Sequence, residues 1–283
     1  MRDVITRIGE TVIQHGHHND RIYVMKLSAR DMPNIVHRLY DLAVKNSYSK
    51  ILVKAPSFAK DAFLKAGYAV EAYVPGFFHG CIDGYFMAKY IDGTRAVERK
   101  KSIVEGVLSA ARLITRKSRG PSLKDGFTFH VAGPEDAKEL AGLYGRVFST
   151  YPFPINDADY ILKTMKNNVR YFCVRANGRI VGASSAEMDR GSGNVEMTDF
   201  ATSERYQGYG ISAYLLHRME ESMAMEGMKL AYTIARATSY PINRIFSRAG
   251  YSYGGRLTNN TNICGAYESM NVWFKHINKC HST

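Results

Sequence analysis

The chain lacks any apolar run approaching the roughly 18 residues of a membrane-spanning helix, which excludes a helical membrane protein. The opening Met1 to Val4 has neither the length nor the apolar centre of a secretory signal, so the cytoplasm is the expected compartment. Cysteine is scarce. The four cysteines, Cys81, Cys173, Cys264 and Cys280, are scattered without metal-ligand spacing, so reduced thiols are expected, with no disulfide frame and no bound metal. His15, His17 and His18 form the one histidine cluster and, near a terminus, read as solvated surface rather than as ligands. What is plentiful is core-forming material: 283 residues with 45% hydrophobic and 12% aromatic content suit one large or two modest globular domains.

Acidic residues fall short of basic ones, leaving a formal charge of +12. An excess of that size could serve a nucleic acid. Its distribution argues otherwise. Much of it lies between Arg95 and Lys124, where Ile103, Val107, Ala111 and Ile114 recur at helical spacing, so an amphipathic connecting helix with a solvated basic face is expected. Lys117 to Ser122 then reads as a linker, dividing the chain into two unequal parts.

Beyond the linker, Pro134 opens a helix with Ala137, Leu140, Ala141, Tyr144 and Phe148 on one face. Strands are expected near Arg170 to Arg175, Ile180 to Met188 and Val195 to Thr202. Immediately after the last comes Arg205-Tyr206-Gln207-Gly208-Tyr209-Gly210, then a helix-periodic segment with Ile211, Leu215, Met219 and Met223, ended by Gly227. Strand, glycine loop and helix start make an anion cradle. Gly208 and Gly210 let the backbone approach a ligand, and the helix beyond aims unpaired N–H groups at it, so a pyrophosphate fits. Gly208, Gly210 and Ala213 also satisfy a dinucleotide fingerprint, but that fold needs the first glycine on the strand end and an acidic residue closing the next strand. Ser203 to Gln207 intervene, and Lys229 to Arg236 contains no Asp or Glu.

The loop resembles the acetyl-CoA loop of the GNAT N-acetyltransferase superfamily, Arg/Gln-x-x-Gly-x-Gly/Ala after the fourth strand, with Arg205, Gly208 and Gly210 in its fixed places. Phe246 to Tyr251 resembles the later signature of that superfamily, a helix closing on Gly-Tyr and leading into a strand. Glu196 to Thr202, Thr150 to Ile155, Leu257 to Ile263 with Met270 to Trp273, and Pro75 to Phe78 with Asp83 to Phe86 together resemble one family, the β-lysine N-acetyltransferases. The resemblance implies an α+β GNAT fold, a mixed and mostly antiparallel sheet with flanking helices. It implies acetyl-CoA as co-substrate, bound by Phe200, Ala201, Thr202, Gln207, Gly208, Tyr209, Gly210, Ile211 and Ser212. Its product would be Nε-acetyl-β-lysine, a compatible solute for osmoadaptation, made without nucleic-acid or membrane partners.

Phe63 to Tyr68 (Phe-Leu-Lys-Ala-Gly-Tyr) repeats Phe246 to Tyr251 (Phe-Ser-Arg-Ala-Gly-Tyr). Each copy follows an apolar strand candidate and precedes an aromatic-rich one. The first part therefore reads as a degenerate half-GNAT unit without a glycine loop, the alternative being a chance likeness of two helix ends. The expected organisation is 1–94 half-GNAT, 95–124 connecting helix and linker, 125–283 catalytic GNAT domain.

An amine acetyltransferase must deprotonate a lysine-like ammonium of pKa near 10.4, stabilise an oxyanion and protonate a thiolate. Glu196, upstream of the loop on the same strand, is the favoured base and Asp199 the second candidate, against a structural role pairing a surface arginine. Strand alternation places the two on opposite faces. The tyrosine that many GNAT enzymes use as acid is replaced by Phe246, leaving Tyr240, Tyr251 and Tyr253 as nearby candidates. Asn259, Asn260 and Asn262 offer donors and acceptors to the acceptor molecule, the competing reading being turn chemistry. Tyr151 and Phe153 would wall its alkyl chain. A polyamine, another diamino acid or a protein lysine as acceptor stays open, as does a non-catalytic acyl-CoA-binding role.

Overall fold

The computed structural model describes residues 3–114 and 120–278. Cys280, Arg116, Lys117, Arg119 and the first part of the expected linker lie outside them. The repeated Phe-x-x-Ala-Gly-Tyr string has a physical cause. In both copies the glycine is left-handed, at φ +81° for Gly67 and +86° for Gly250. In both, the tyrosine N–H donates back to the phenylalanine carbonyl at 3.1 Å, and the two rings meet edge to face at 5.0 and 4.9 Å. This is the Schellman helix stop with its hydrophobic contact, which needs a residue free to take positive φ between two apolar ones.

Around those stops the chain runs twice through one topology. Strand β3 (Arg21–Lys26), helix α1 (Ile35–Lys45), β4 (Lys50–Pro56), α2 (Lys60–Lys65), β5 (Ala69–Phe78) and β6 (Ile82–Tyr90) form the first pass. The second comprises β10 (Asn194–Thr202), α6 (Ile211–Met225), β11 (Leu230–Arg236), α7 (Tyr240–Arg248), β12 (Ser252–Ile263) and β13 (Ala266–His276). In each, the first two strands pair parallel, and the final hairpin packs antiparallel onto the second. Strands β1 (Val4–Ile8) and β2 (Thr11–Gly16) precede the first pass, and β7 (Phe127–Val131), β8 (Val169–Ala176) and β9 (Arg179–Asp189) precede the second.

The passes meet where β5 pairs antiparallel with β12, giving one thirteen-stranded sheet of order β1-β2-β3-β4-β6-β5-β12-β13-β11-β10-β9-β8-β7. Helices α1 and α2 cover one outer face through Ile35, Leu39, Ala43 and Phe63, while α6 and α7 cover another through Leu215, Met219, Met223 and Phe246. Helices α4 (Ala137–Val147) and α5 (Ala158–Met165) pack on the opposite side of the second pass.

The sheet is curled. Strands β4 and β11 stand five places apart in the order, which in a flat sheet would separate them by roughly 24 Å. Lys54 on β4 nevertheless reaches the Tyr232 hydroxyl on β11 at 3.4 Å. The curl closes over an apolar cluster shared by both passes, with Leu52, Val74, Phe77 and Phe86 against Leu230, Tyr232, Leu257 and Val272. Turn contacts seal the rim, where His79 N–H donates to the Ser192 carbonyl and Lys26 pairs with Asp189 at 3.1 Å.

Three details differ from the sequence expectation. The basic helix α3 covers Lys101–Arg112 only, and it buries Ala111 as expected but Val104 in place of Ile103, which is exposed. Arg95, expected on a solvated face, is 4% exposed and pinned by the Asn259, Asp20 and Asn19 carbonyls. The histidine cluster belongs to β2 and its turn, where His15 Nδ1 lies 3.0 Å from the Tyr48 hydroxyl. Among the described residues no helix is long and apolar enough to cross a membrane.

Candidate active site

Two features of β10 build the site. Its pairing with β11 stops at Glu196 opposite Tyr232, so the strand is splayed from its neighbour over Phe200, Ala201 and Thr202. Its pairing with β9 carries a bulge between Thr198 and Ala201, where Asp199 sits at φ +55°. An extra residue in one strand reverses the alternation beyond it. Asp199 therefore lies with Glu196 rather than on the opposite face, the reverse of the sequence expectation.

On that shared inner face three carboxyls converge. Asp199 accepts from Ser185 Oγ at 2.5 Å and from the Tyr151 hydroxyl, so the segment around Tyr151 is tied directly to the bulge. Glu187 on β9 stands opposite Glu196 in register. Burial raises all three acids above the ordinary carboxylate range, and mutual repulsion adds to it for Glu187 and Glu196. Glu187 is pushed up to about 8. Lys54, from the first pass, counters the rise at Glu187 and Glu196, and the Tyr232 hydroxyl does so at Glu196. Tyr23 lies beside Lys54, its ring centre 5.5 Å from Nζ. Glu187, Glu196, Lys54 and Tyr23 are partly accessible, as side chains lining a recess are.

The glycine loop sits at the far end of the splay. Gly208 and Gly210 have φ of +83° and +80°, and a Cβ built on either meets no atom within 4 Å. Gly210 is the N-cap of α6 and has no side-chain capping bond. Its carbonyl takes the Tyr214 N–H, leaving the first-turn amides of Ile211 and Ser212 free of helical partners. Thr202 and Ser212 touch through their hydroxyls at 3.1 Å, joining the splayed strand to the helix start. Open space, free amides and a left-handed backbone fit a pyrophosphate. Gln207 and Tyr209 lie in the same loop, with Tyr209 against Phe127 and Lys124.

Other expected residues lie elsewhere. Asn259 and Asn262 serve the junction between the two passes rather than the recess: the Asn259 amide donates to the Arg95 and Val97 carbonyls at 2.8 and 2.9 Å, and that of Asn262 donates to the His18 carbonyl at 2.8 Å. Their capacity is committed to the fold. Asn260 keeps a buried side-chain oxygen without a partner. Phe153 packs on the α4 cluster. Phe246 is fully buried against Phe200, Tyr251 packs on Phe246, and Tyr253 lies between Trp273 and Arg112. Sequence reasoning passed over Glu187, Lys54, Tyr23 and Tyr232. The signal for the first two was a charge in the interior of a mostly buried strand.

The fold and site define an acetyl-CoA-dependent N-acetyltransferase: a glycine loop at a splayed strand on one side, a carboxylate-lined recess on the other. Residues 138–251 match the acetyltransferase (GNAT) family. A β-lysine N(6)-acetyltransferase of Methanococcus maripaludis is 41% identical over 273 residues, covering 96% of this chain and 98% of that protein. One from Methanosarcina mazei is 32% identical, covering 84% and 95%, and the N-acetyltransferase YodP of Bacillus subtilis is 31% identical, covering 94% and 96%. The chain belongs to the β-lysine N-acetyltransferase family of GNAT enzymes.

Proposed function

We propose that the protein acetylates the terminal amine of β-lysine, giving Nε-acetyl-β-lysine, in the cytoplasm and with no metal. The observation that carries this beyond family membership is the inner-face recess, where Glu187 and Glu196 face Lys54 across the junction and Asp199 lies on the same face. A diamine with one carboxylate suits such a lining. Its ammonium groups find acids, and its net positive charge is attracted by an excess of carboxylates. Acetyl-CoA supplies an activated acetyl thioester. Gly208, Gly210 and the α6 amides would hold the pyrophosphate, and Phe200 to Thr202 would align the pantetheine arm along the splay.

Glu196 is the proposed base. It ends the paired part of β10, where the splay starts, and its raised proton affinity suits removal of a proton from an ammonium better than an ordinary carboxylate does. Asp199, held by Ser185 and Tyr151, would orient Tyr151 as a wall for the acceptor. The product has one ammonium and one carboxylate, so it is neutral overall, as a compatible solute for osmoadaptation should be. Residues 1–94 are read as a half-GNAT unit that closes the acceptor side, 95–124 as the connection, and 125–283 as the catalytic domain. An end-point assay with acetyl-CoA and a panel of β-lysine, α-lysine, polyamines and a lysine peptide tests the assignment. β-Lysine is expected to react fastest; a polyamine or the peptide reacting faster would replace it.

A further inference from the structure

Three cations, Arg21 and Lys50 of the first pass and Arg95 just beyond it, are buried at the inner face or the junction, and two of them have carboxylate partners. Lys50 is fully buried and bonds Glu71 at 2.8 Å and the Thr258 carbonyl at 2.7 Å. Arg95 pairs with Asp20 at 3.3 Å. Arg21 is 5% exposed and has no carboxylate within 4.0 Å among the described residues. Its Nη1 donates to the Asn260 carbonyl at 2.5 Å, and its Nε is buried without any partner. The side-chain oxygen of Asn260, itself 2% exposed, is buried and unpartnered as well. A buried guanidinium without a carboxylate in contact and a buried amide oxygen without a donor, joined through one backbone bond, are costly for a protein that gains nothing from them.

Their position supplies the gain. Arg21 and Tyr23 lie two residues apart on β3, so both side chains point to the inner face. The Arg21 guanidinium carbon is 5.2 Å from the Tyr23 ring centre, and that centre is 5.5 Å from Lys54 Nζ. Tyr23 in turn feels the charge of Glu196. The row Arg21, Tyr23, Lys54 and Glu196 therefore runs from the junction to the carboxylate cluster. From the carboxyl carbon to the terminal nitrogen, β-lysine spans as many bonds as two residues of extended backbone, roughly 7 Å. Lys54 is already faced by Glu187 and Glu196, whereas Arg21 has no carboxylate in contact, Asp3 and Glu71 acting on it only from a distance.

We infer that Arg21 and Asn260 form the subsite for the amino-acid end of the acceptor. Arg21 pairs with the carboxylate, and the Asn260 side-chain oxygen accepts from the neighbouring β-ammonium. The subsite rests on the β-lysine reading above and deepens it. It assigns the choice of a β-amino acid over a plain diamine to the half-GNAT unit, through a residue that the catalytic half does not contain.

The test compares β-lysine with its carboxamide, 3,6-diaminohexanamide, as acceptors for wild type, Arg21→Met and Arg21→Lys. Wild type should prefer the acid by roughly 100-fold in kcat/KM, because a site built for a charge rejects the analogue lacking it. In Arg21→Met the preference should fall to near one, through KM more than kcat, and in Arg21→Lys it should be intermediate. Without acetyl-CoA, β-lysine should raise the melting temperature of wild type and not that of Arg21→Met, while coenzyme A raises both. A folded Arg21→Met that keeps the wild-type preference overturns the subsite, and so does a wild type that takes acid and amide equally. If Arg21→Met does not fold, the preference of Arg21→Lys decides: an undiminished value overturns the subsite. A wild type that ignores β-lysine altogether overturns the substrate reading and the subsite together.

Discussion

Replacing Glu196 by Gln preserves the shape of the side chain and removes its capacity to accept a proton. In the structure this leaves Glu187 opposite the altered position and Asp199 on its bonds from Ser185 and Tyr151, so the lining of the recess keeps its shape and the acceptor can still enter. The loss should fall on turnover. At pH 7 an amine of pKa near 10.4 is free base in only about one molecule in a thousand or fewer. A positioned base typically contributes 10²- to 10⁴-fold, so kcat should drop within about that range while acetyl-CoA affinity changes little. The deficit should also shrink as the pH rises toward 10, where the acceptor arrives already deprotonated. Steady-state kinetics from pH 6.5 to 10, with calorimetric titration of coenzyme A into each protein, measure both parts. Wild-type turnover across that range, or a deficit that does not narrow with pH, would refute Glu196 as the base.

Gly210→Val places a Cβ in the open cradle and forces a branched residue to φ +80°; the chain should still fold, lose about 1–2 kcal/mol in a urea titration, and bind coenzyme A at least tenfold more weakly by calorimetry. Glu187 holds its proton up to about 8 against an ordinary 4.5, so the stability it contributes is complete below about pH 4.5 and is lost as the pH rises through 8. Glu187→Gln should therefore flatten the decline in melting temperature between pH 5 and 9; an unchanged slope would contradict the buried cluster. Residues 1–92 expressed alone would expose Leu52, Val74, Phe77 and Phe86, worth roughly 6–12 kcal/mol of lost burial against the 5–15 kcal/mol that a whole domain commands. The fragment should show no cooperative unfolding, and the full chain should bind one coenzyme A.

What could be read from the sequence was what local chemistry dictates. The glycine loop is legible because positive φ, free amides and the preceding strand all lie within a dozen residues. The Phe-x-x-Ala-Gly-Tyr repeat is legible because a Schellman stop needs those residues at that spacing, and the strands around it follow the same order twice. The position of Glu196 on the strand before the loop is legible from the order of the segments. The face of Asp199 was misread, because a bulge shifts alternation and polar strings such as Met-Thr-Asp-Phe do not announce one. The asparagine string was misread at Asn259 and Asn262 for another reason: their partners, Arg95, Val97 and His18, are more than 150 positions away in the chain. Lys54 and Tyr23 come beside Glu196 only because the sheet curls, and that curl follows the shared apolar cluster rather than any local pattern.

The central claim is that the recess between the two passes presents the terminal amine of β-lysine to the acetyl group. Incubating the protein with β-lysine and acetyl-CoA labelled with carbon-13 in the acetyl group, then locating the label by NMR, tests it most directly. A single product carrying the label on the ε-nitrogen is expected. Label on the β-nitrogen, or none transferred, would contradict it.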